Sequence, residues 1–286
     1  MKNKVLITGA AGQLGQCIKD LQSYYIDIEF YFTDVEDLDI SNEQNVLDFF
    51  QTNQIRWCVN CAAYTAVDKA ESDEKMAYDI NAIGAKNLAL ACRVHHAKLI
   101  HISTDFVFDG SQSVPYSEEA QTNPLGVYGD SKLQGELEIQ AKLKEHFIIR
   151  TSWLYSEYGQ NFLKTMLKLG EDREALNVVG DQVGTPTYAG DLAIVLLDII
   201  KNNTEQYGIY HFSNEGVASW YDFAKAIFDI QGNDRIKVGN ILSEAYPTPA
   251  KRPSFSVLDK AKIKKQMNIE IPYWRDSLYK VINQIK

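Results

Sequence analysis

Lys4-Val5-Leu6-Ile7-Thr8-Gly9-Ala10-Ala11-Gly12-Gln13-Leu14-Gly15 is the stretch on which the fold turns. Its first five residues form a short apolar run rich in β-branched side chains, suited to a strand buried on both faces. A helical pattern follows through Cys17, Ile18 and Leu21. Strand, glycine turn and helix make up the phosphate-binding start of a dinucleotide fold, in which glycines let a pyrophosphate approach the N-H groups of the helix. Gly9, Gly12 and Gly15 run G-x-x-G-x-x-G, one residue longer than the G-x-G-x-x-G fingerprint. Taken alone, the turn leaves open a glycine-rich bend that holds no ligand.

Ile28 to Thr33 reads as a second strand, and Asp34 closes it about 20 residues after the last glycine, where an acid can hold ribose hydroxyls. Val35-Glu36-Asp37 adds negative charge with no Arg or Lys nearby. A 2′-phosphate would meet repulsion there, so NADH is expected to serve at least as well as NADPH. Asp39 and Ile40 can hold an adenine, or Asp39 can cap a turn before Ser41.

Further strand-like runs recur at Trp57-Cys61, Leu99-Ser103 and Phe147-Thr151, with helical patterns around 13–22, 43–53, 81–95 and 131–144. This alternation predicts an α/β fold, a Rossmann-type doubly wound parallel sheet, over residues 1–155. Beyond it the pattern loosens. Helices are expected near 161–170, 190–201 and 220–230, and strands at Val178-Val179 and Ile209-Phe212. Residues 156–286 read mainly as a smaller C-terminal α/β substrate-binding lobe, with room for some segments to return to the main sheet.

With 286 residues, 45% of them apolar, the chain can bury a full core. No apolar stretch approaches the roughly 18 residues of a membrane span, so a cytoplasmic protein is expected. The net charge of -9 argues against nucleic acid or an anionic membrane as partner. Cys17, Cys58, Cys61 and Cys92 fall in helix and strand patterns rather than in a disulfide framework, which weighs against redox or metal roles.

Chemistry-bearing residues gather after the strands, where doubly wound sheets bind ligands. Tyr128 and Lys132 are spaced i,i+4, which stacks them on one helix face and offers a phenol as acid with an ammonium to lower its pKa. An amphipathic helix with a snorkelling lysine would show the same spacing. Lys132 is also placed to bind a nicotinamide ribose. Thr104 supplies a hydroxyl that can orient a carbonyl oxygen, or is a strand-end residue of high β propensity.

Gly9-x-x-Gly12-x-x-Gly15, Asn60-Cys61-Ala62-Ala63, Ser103-Thr104-Asp105 and Tyr128-x-x-x-Lys132 together resemble the extended short-chain dehydrogenase/reductase superfamily. Within it, the chain is similar to the dTDP-4-dehydrorhamnose reductase family, nearly end to end. The likeness runs through Thr65 to Glu71, Asn123 to Lys132, Arg150 to Tyr155, Asp181 to Thr187 and Tyr246 to Pro253. It implies reduction of the 4-keto group of dTDP-4-dehydro-β-L-rhamnose to dTDP-L-rhamnose, a surface-polysaccharide precursor, by NADH or NADPH. By the same resemblance Gly12, Gln13, Leu14, Asp34, Asp39, Ile40, Ala62, Ala63, Tyr64, Thr65, Tyr128 and Lys132 meet the dinucleotide, and Val67, Thr104, Asp105 and Trp153 meet the sugar. Arg252 is either a diphosphate clamp or an exposed structural arginine.

Related 4,6-dehydratases carry Thr-Asp-Glu where this chain has Thr104-Asp105-Phe106. A phenyl ring moves no proton, so elimination loses a participant and plain reduction is favoured. Some relatives are dimers sharing magnesium through glutamates. The matching position here is Cys17 beside Gln16, neither a hard anionic ligand; no metal is expected, and any homodimer would not be metal-bridged. Two alternatives stand beside this reading: a reductase of another nucleotide-linked 4-keto-deoxyhexose, or a non-catalytic dinucleotide-binding regulatory subunit.

Overall fold

The computed structural model describes residues 2–285. Its centre is a six-stranded, all-parallel sheet made of β1 (Asn3–Thr8), β2 (Ile28–Thr33), β3 (Trp57–Asn60), β4 (Lys98–Thr104), β5 (His146–Thr151) and β6 (Gly208–His211). The order across the sheet is β2-β1-β3-β4-β5-β6. The chain winds one way from β1 to β2, then crosses back to lay β3 on the other side of β1. That reversal opens a crevice beyond the carboxyl ends of β1 and β3.

Side chains alternate across the sheet, as the pleat requires. Val5, Ile7, Val59, Ile100 and Phe147 face helices α1 (Gln13–Leu21) and α6 (Ala189–Lys201). Leu6, Cys58, Leu99 and Ile148 face α2 (Glu43–Asn53), α3 (Ala85–Val94) and α4 (Val127–Lys142). Burial on both faces is why these strands read as unbroken apolar runs.

The second part of the chain builds its own core from Tyr155, Leu163, Leu176, Val178, Phe223, Ile227, Trp274 and Leu278. It brings together α5 (Phe162–Asp172), α7 (Trp220–Gln231) and a C-terminal helix, Trp274–Ile285. A parallel pair lies beside them, Ala175–Val179 with Lys237–Ile241. The segment expected as a strand at 209–212 does not join this part: it is β6, the edge of the main sheet.

Two helix expectations shift. The pattern at 81–95 opens with a widened π turn, Asp79–Gly84, before α3. The helix expected at 131–144 runs from Val127 to Lys142, which puts Tyr128 inside its first turn. Among the described residues, no helix is long and apolar enough to cross a membrane.

Candidate active site

The crevice encloses about 860 Å³ and is lined from every strand end around the switch point. Its floor is the glycine turn. Gly9 sits at φ +63°, and a Cβ there would lie 2.7 Å from the backbone of Ala62, so the turn nests against the segment after β3 only because it has none. The Gly12 N-H closes the turn on the Gly9 carbonyl at 3.1 Å. Gly15 lies beneath, against the Ala10 backbone, and seats α1 rather than lining the crevice. These contacts fit a pyrophosphate lying on the helix N-terminus.

Asp34 accepts hydrogen bonds from the backbone N-H of Ala11 through Oδ2 and of Val35 through Oδ1, tying the end of β2 to the glycine turn. Asp39 accepts from the N-H and hydroxyl of Ser41, so its carboxylate caps a turn, while Asp39 and Ile40 both line the crevice. Ala62, Ala63, Thr65 and Val67 form the facing wall. Tyr64 does not join them: its hydroxyl donates to Asp73, and its backbone is held by the Asn81 side chain. Gln13 reaches the other way, accepting from Asn161 at 2.8 Å and from Ser156 at 3.2 Å, and so couples the glycine turn to the second part of the chain.

Helix α4 brings Tyr128 and Lys132 to the crevice. Its first N-H, from Val127, donates to Glu71 at 2.9 Å, and one turn beyond Lys132 lies Glu136. Buried Glu136 takes a forked pair of hydrogen bonds from Arg150 and a third from Ser103, which pins the helix to β5 and β4. The Tyr128 ring meets Phe106 edge-on, with centroids 5.5 Å apart.

The Lys132 ammonium does not point at the phenol. It donates to the Ile102 carbonyl at 2.7 Å and lies 3.3 Å from His101 Nε2. The expected lowering of the Tyr128 pKa is therefore absent. Burial pushes the phenol up to about 12, the Thr104 hydroxyl opposes this in part, and the Asp105 charge adds to it. Burial also pulls Lys132 down to about 8, against the pull of Glu136 and Cys61.

Thr104 and Asp105 sit at the end of β4. The Thr104 hydroxyl donates to Asp105 Oδ1 at 3.2 Å and accepts from the Phe106 N-H. Among the described residues, Asp105 Oδ2 is buried without a hydrogen-bond partner. Burial raises its carboxyl to about 6, with the Ser256 and Thr104 hydroxyls pulling the other way.

Trp153 stands at φ +46°, its indole packed over Gly184 and stacked face to face on Trp220 at 3.6 Å. Arg252 reaches the rim with its guanidinium forked onto Asp68. Trp220 and Gln160, neither expected from the sequence, also line the crevice. No motif marks either one, because they arrive from loops and helix starts distant in sequence. Among the described residues, no group of three His, Cys, Asp or Glu side chains is placed to hold a metal ion.

The family model described as RmlD substrate binding domain matches residues 2–286. The dTDP-4-dehydrorhamnose reductase of Aggregatibacter actinomycetemcomitans is 43% identical, over 96% of this chain and 97% of its own length. A dTDP-4-dehydrorhamnose reductase structure from Clostridium acetobutylicum superposes with a TM-score of 0.95 at 45% identity, covering 99% of each chain. The Bacillus anthracis enzyme of the same name, in complex with NADP, also gives 0.95, at 40% identity over 99% of this chain and 100% of that one.

Proposed function

The chain belongs to the RmlD substrate binding domain family, and from that premise we propose that it reduces the 4-keto group of dTDP-4-dehydro-β-L-rhamnose to give dTDP-L-rhamnose. The reaction supplies an activated deoxysugar for surface polysaccharide and is placed in the cytoplasm. One observation carries the reading. Tyr128 stands on the crevice wall with Phe106, a ring that moves no proton, edge-on against it.

When bound, NADH or NADPH supplies the hydride. Everything else falls to the chain. Tyr128, protonated at neutral pH with its pKa near 12, gives its phenolic proton to the carbonyl oxygen as the alkoxide develops. Lys132, held on Ile102 O and lining the crevice, would bind the nicotinamide ribose. Thr104 orients the oxygen. Trp153, rigidified by Trp220, offers a flat apolar face to the deoxysugar. Arg252, already oriented by Asp68, is placed against the diphosphate.

For the cofactor, NADH is expected to be used at least as well as NADPH. Supporting this, the crevice wall around Asp34 is made of Val35, Leu38, Asp39 and Ile40, with no basic side chain among the described residues there.

The test is turnover. The purified protein, given the 4-keto sugar nucleotide made by a dTDP-glucose dehydratase and a 3,5-epimerase, should consume reduced nicotinamide; none consumed with either cofactor would sink the reading. Tyr128→Phe should lose at least about 100-fold in kcat while melting at the wild-type temperature. A rate unchanged by that substitution would remove the phenol from the mechanism and favour a binding subunit. UDP-linked substrate turned over as well as dTDP-linked would favour another 4-keto-deoxyhexose.

A further inference from the structure

Three polar side chains cross the middle of the sheet in one row. Thr8 on β1 is the register partner of Asn60 on β3, and Asn60 is the partner of His101 on β4, so all three project from the same face at one level. Each is about 1% exposed. Buried polar groups are costly unless hydrogen-bonded, and here the row is closed. Thr8 Oγ1 lies 2.7 Å from the Asn60 amide, which lies 2.9 Å from His101 Nδ1, and His101 Nε2 ends the row at Lys132 Nζ.

Counting donors gives the row a direction. An ammonium only donates, so the Nε2 atom facing Lys132 must carry a lone pair. The His101 ring is neutral, because burial and the Lys132 charge hold it well below its ordinary pKa. A neutral ring with a bare Nε2 carries its hydrogen on Nδ1. As placed, Asn60 Nδ2 faces that nitrogen and Oδ1 faces Thr8. The two ends of an amide have the same shape, and the count requires them exchanged: oxygen toward His101 N-H, NH2 toward the Thr8 hydroxyl.

We propose that His101 is the positioning residue of the catalytic lysine: its Nδ1-H tautomer, anchored through Asn60 and Thr8, accepts a hydrogen bond from the Lys132 ammonium. Ile102 O takes a second hydrogen, and the third is left for the crevice. The row thus links the strand that carries the glycine turn to the helix that carries the acid. The inference rests on the reading of Tyr128 and Lys132 as the catalytic pair. The other titratable groups that act on Lys132 are Glu136 on its own helix and Cys61 after β3, with His146 on β5 acting on His101; Tyr128 lines the same crevice.

Two measurements test it. In the whole protein labelled with 15N-histidine, the His101 signal, assigned by its loss in His101→Gln, should show a protonated Nδ1 and a bare Nε2. A protonated Nε2 overturns the proposal whether or not the enzyme turns over, which separates its failure from failure of the functional reading. The second is a pair of variants. His101→Leu removes the acceptor and should lower kcat on the order of tenfold, the worth of a hydrogen bond to a charged group. It should also move the alkaline limb of the pH profile to lower pH, since a charge that loses its acceptor gives up its proton sooner. His101→Gln returns an acceptor at the Nε2 position and should restore most of both, with KM for the sugar nucleotide unchanged throughout. A Leu variant with wild-type kcat and alkaline limb, or a Gln variant as impaired as Leu with both folded, would refute it. If the Leu variant does not fold, the tautomer and the Gln variant decide.

Discussion

Asp105 joins the chemistry to the stability of the fold. Its carboxyl is raised to about 6 by burial, with one oxygen lacking a donor. A carboxyl whose folded pKa lies above its unfolded value stabilises most when protonated, so this contribution is lost as pH rises from about 4 through about 6. Asp105→Asn should remove the penalty: at pH 8 the variant should unfold at higher urea than wild type, by roughly 2 kcal/mol, and the two should converge near pH 4. A variant no more stable than wild type at pH 8 would show that the carboxylate is better solvated than its burial implies. Arg252 carries a different expectation. Arg252→Met should raise KM for the sugar nucleotide on the order of tenfold and leave KM for the reduced nicotinamide unchanged; equal effects on both would make Arg252 a structural partner of Asp68. At this scale the sequence was legible where chemistry is local. Thr104, Asp105, Tyr128 and Asp34 were singled out because each stands at a strand end or on one helix face, and all four line the crevice. The partners that orient them were not legible, since Asp68 meets Arg252 across 184 positions and Gln13 meets Asn161 across 148. His101 went unmarked because a lone histidine inside an apolar strand carries no spacing signal.

Helix α4 is the element on which the site depends, and close backbone approach sets it in place. A Cβ on Gly135 would lie 2.2 Å from the Asn81 carbonyl oxygen, and one on Gly129 would lie 2.3 Å from that of Phe106. Neither neighbour is a side chain that can swing aside. Gly135→Ala should therefore destabilise the protein by about 1–3 kcal/mol, the cost of overpacking, and lower kcat by moving Tyr128 and Lys132 off the crevice. Gly232→Ala makes the comparison. It sits at φ +76° after α7 with nothing within 4 Å, so it should cost about 1 kcal/mol of backbone strain and leave kcat alone. Urea midpoints and kcat on both variants check this, and equal effects on kcat would mean the packing of α4 does not govern the site. The start of this helix was misplaced by four residues for a related reason. No side chain at Gly126 caps it; the carboxylate of Glu71, 56 positions earlier, takes the first N-H instead, so the boundary leaves no local signature. The π turn before α3 was hidden in the same way, since Asn81 within it bonds to Tyr64 and Ser131 rather than to neighbours in sequence.

The chain leaves the sheet after β5 and returns to it for β6, and this governs how the whole molecule holds together. Leu14, Cys17 and Ile18 of α1 pack in one core with Leu192, Ala193, Leu196 and Ile200 of α6. A dinucleotide-binding half ending at residue 155 would bare that stripe of α1 and leave β5 without the partner it has in β6. Each large apolar side chain returned to water forfeits roughly 1.5–3 kcal/mol, and four or five of them match the whole margin of about 5–15 kcal/mol that holds a typical domain. A fragment of residues 1–155 should therefore lack a cooperative urea transition and bind a hydrophobic dye, while the full chain unfolds cooperatively and binds none. A fragment of residues 1–216, which restores α6 and β6, should regain part of the transition. It should still fall short of the full chain, because Trp153 and Tyr155 would lose Trp220 and Phe223 behind them. A cooperative transition in the 1–155 fragment would show instead that the sheet stands without the returning segment, and that the glycine turn and its helix need nothing from the second half of the chain.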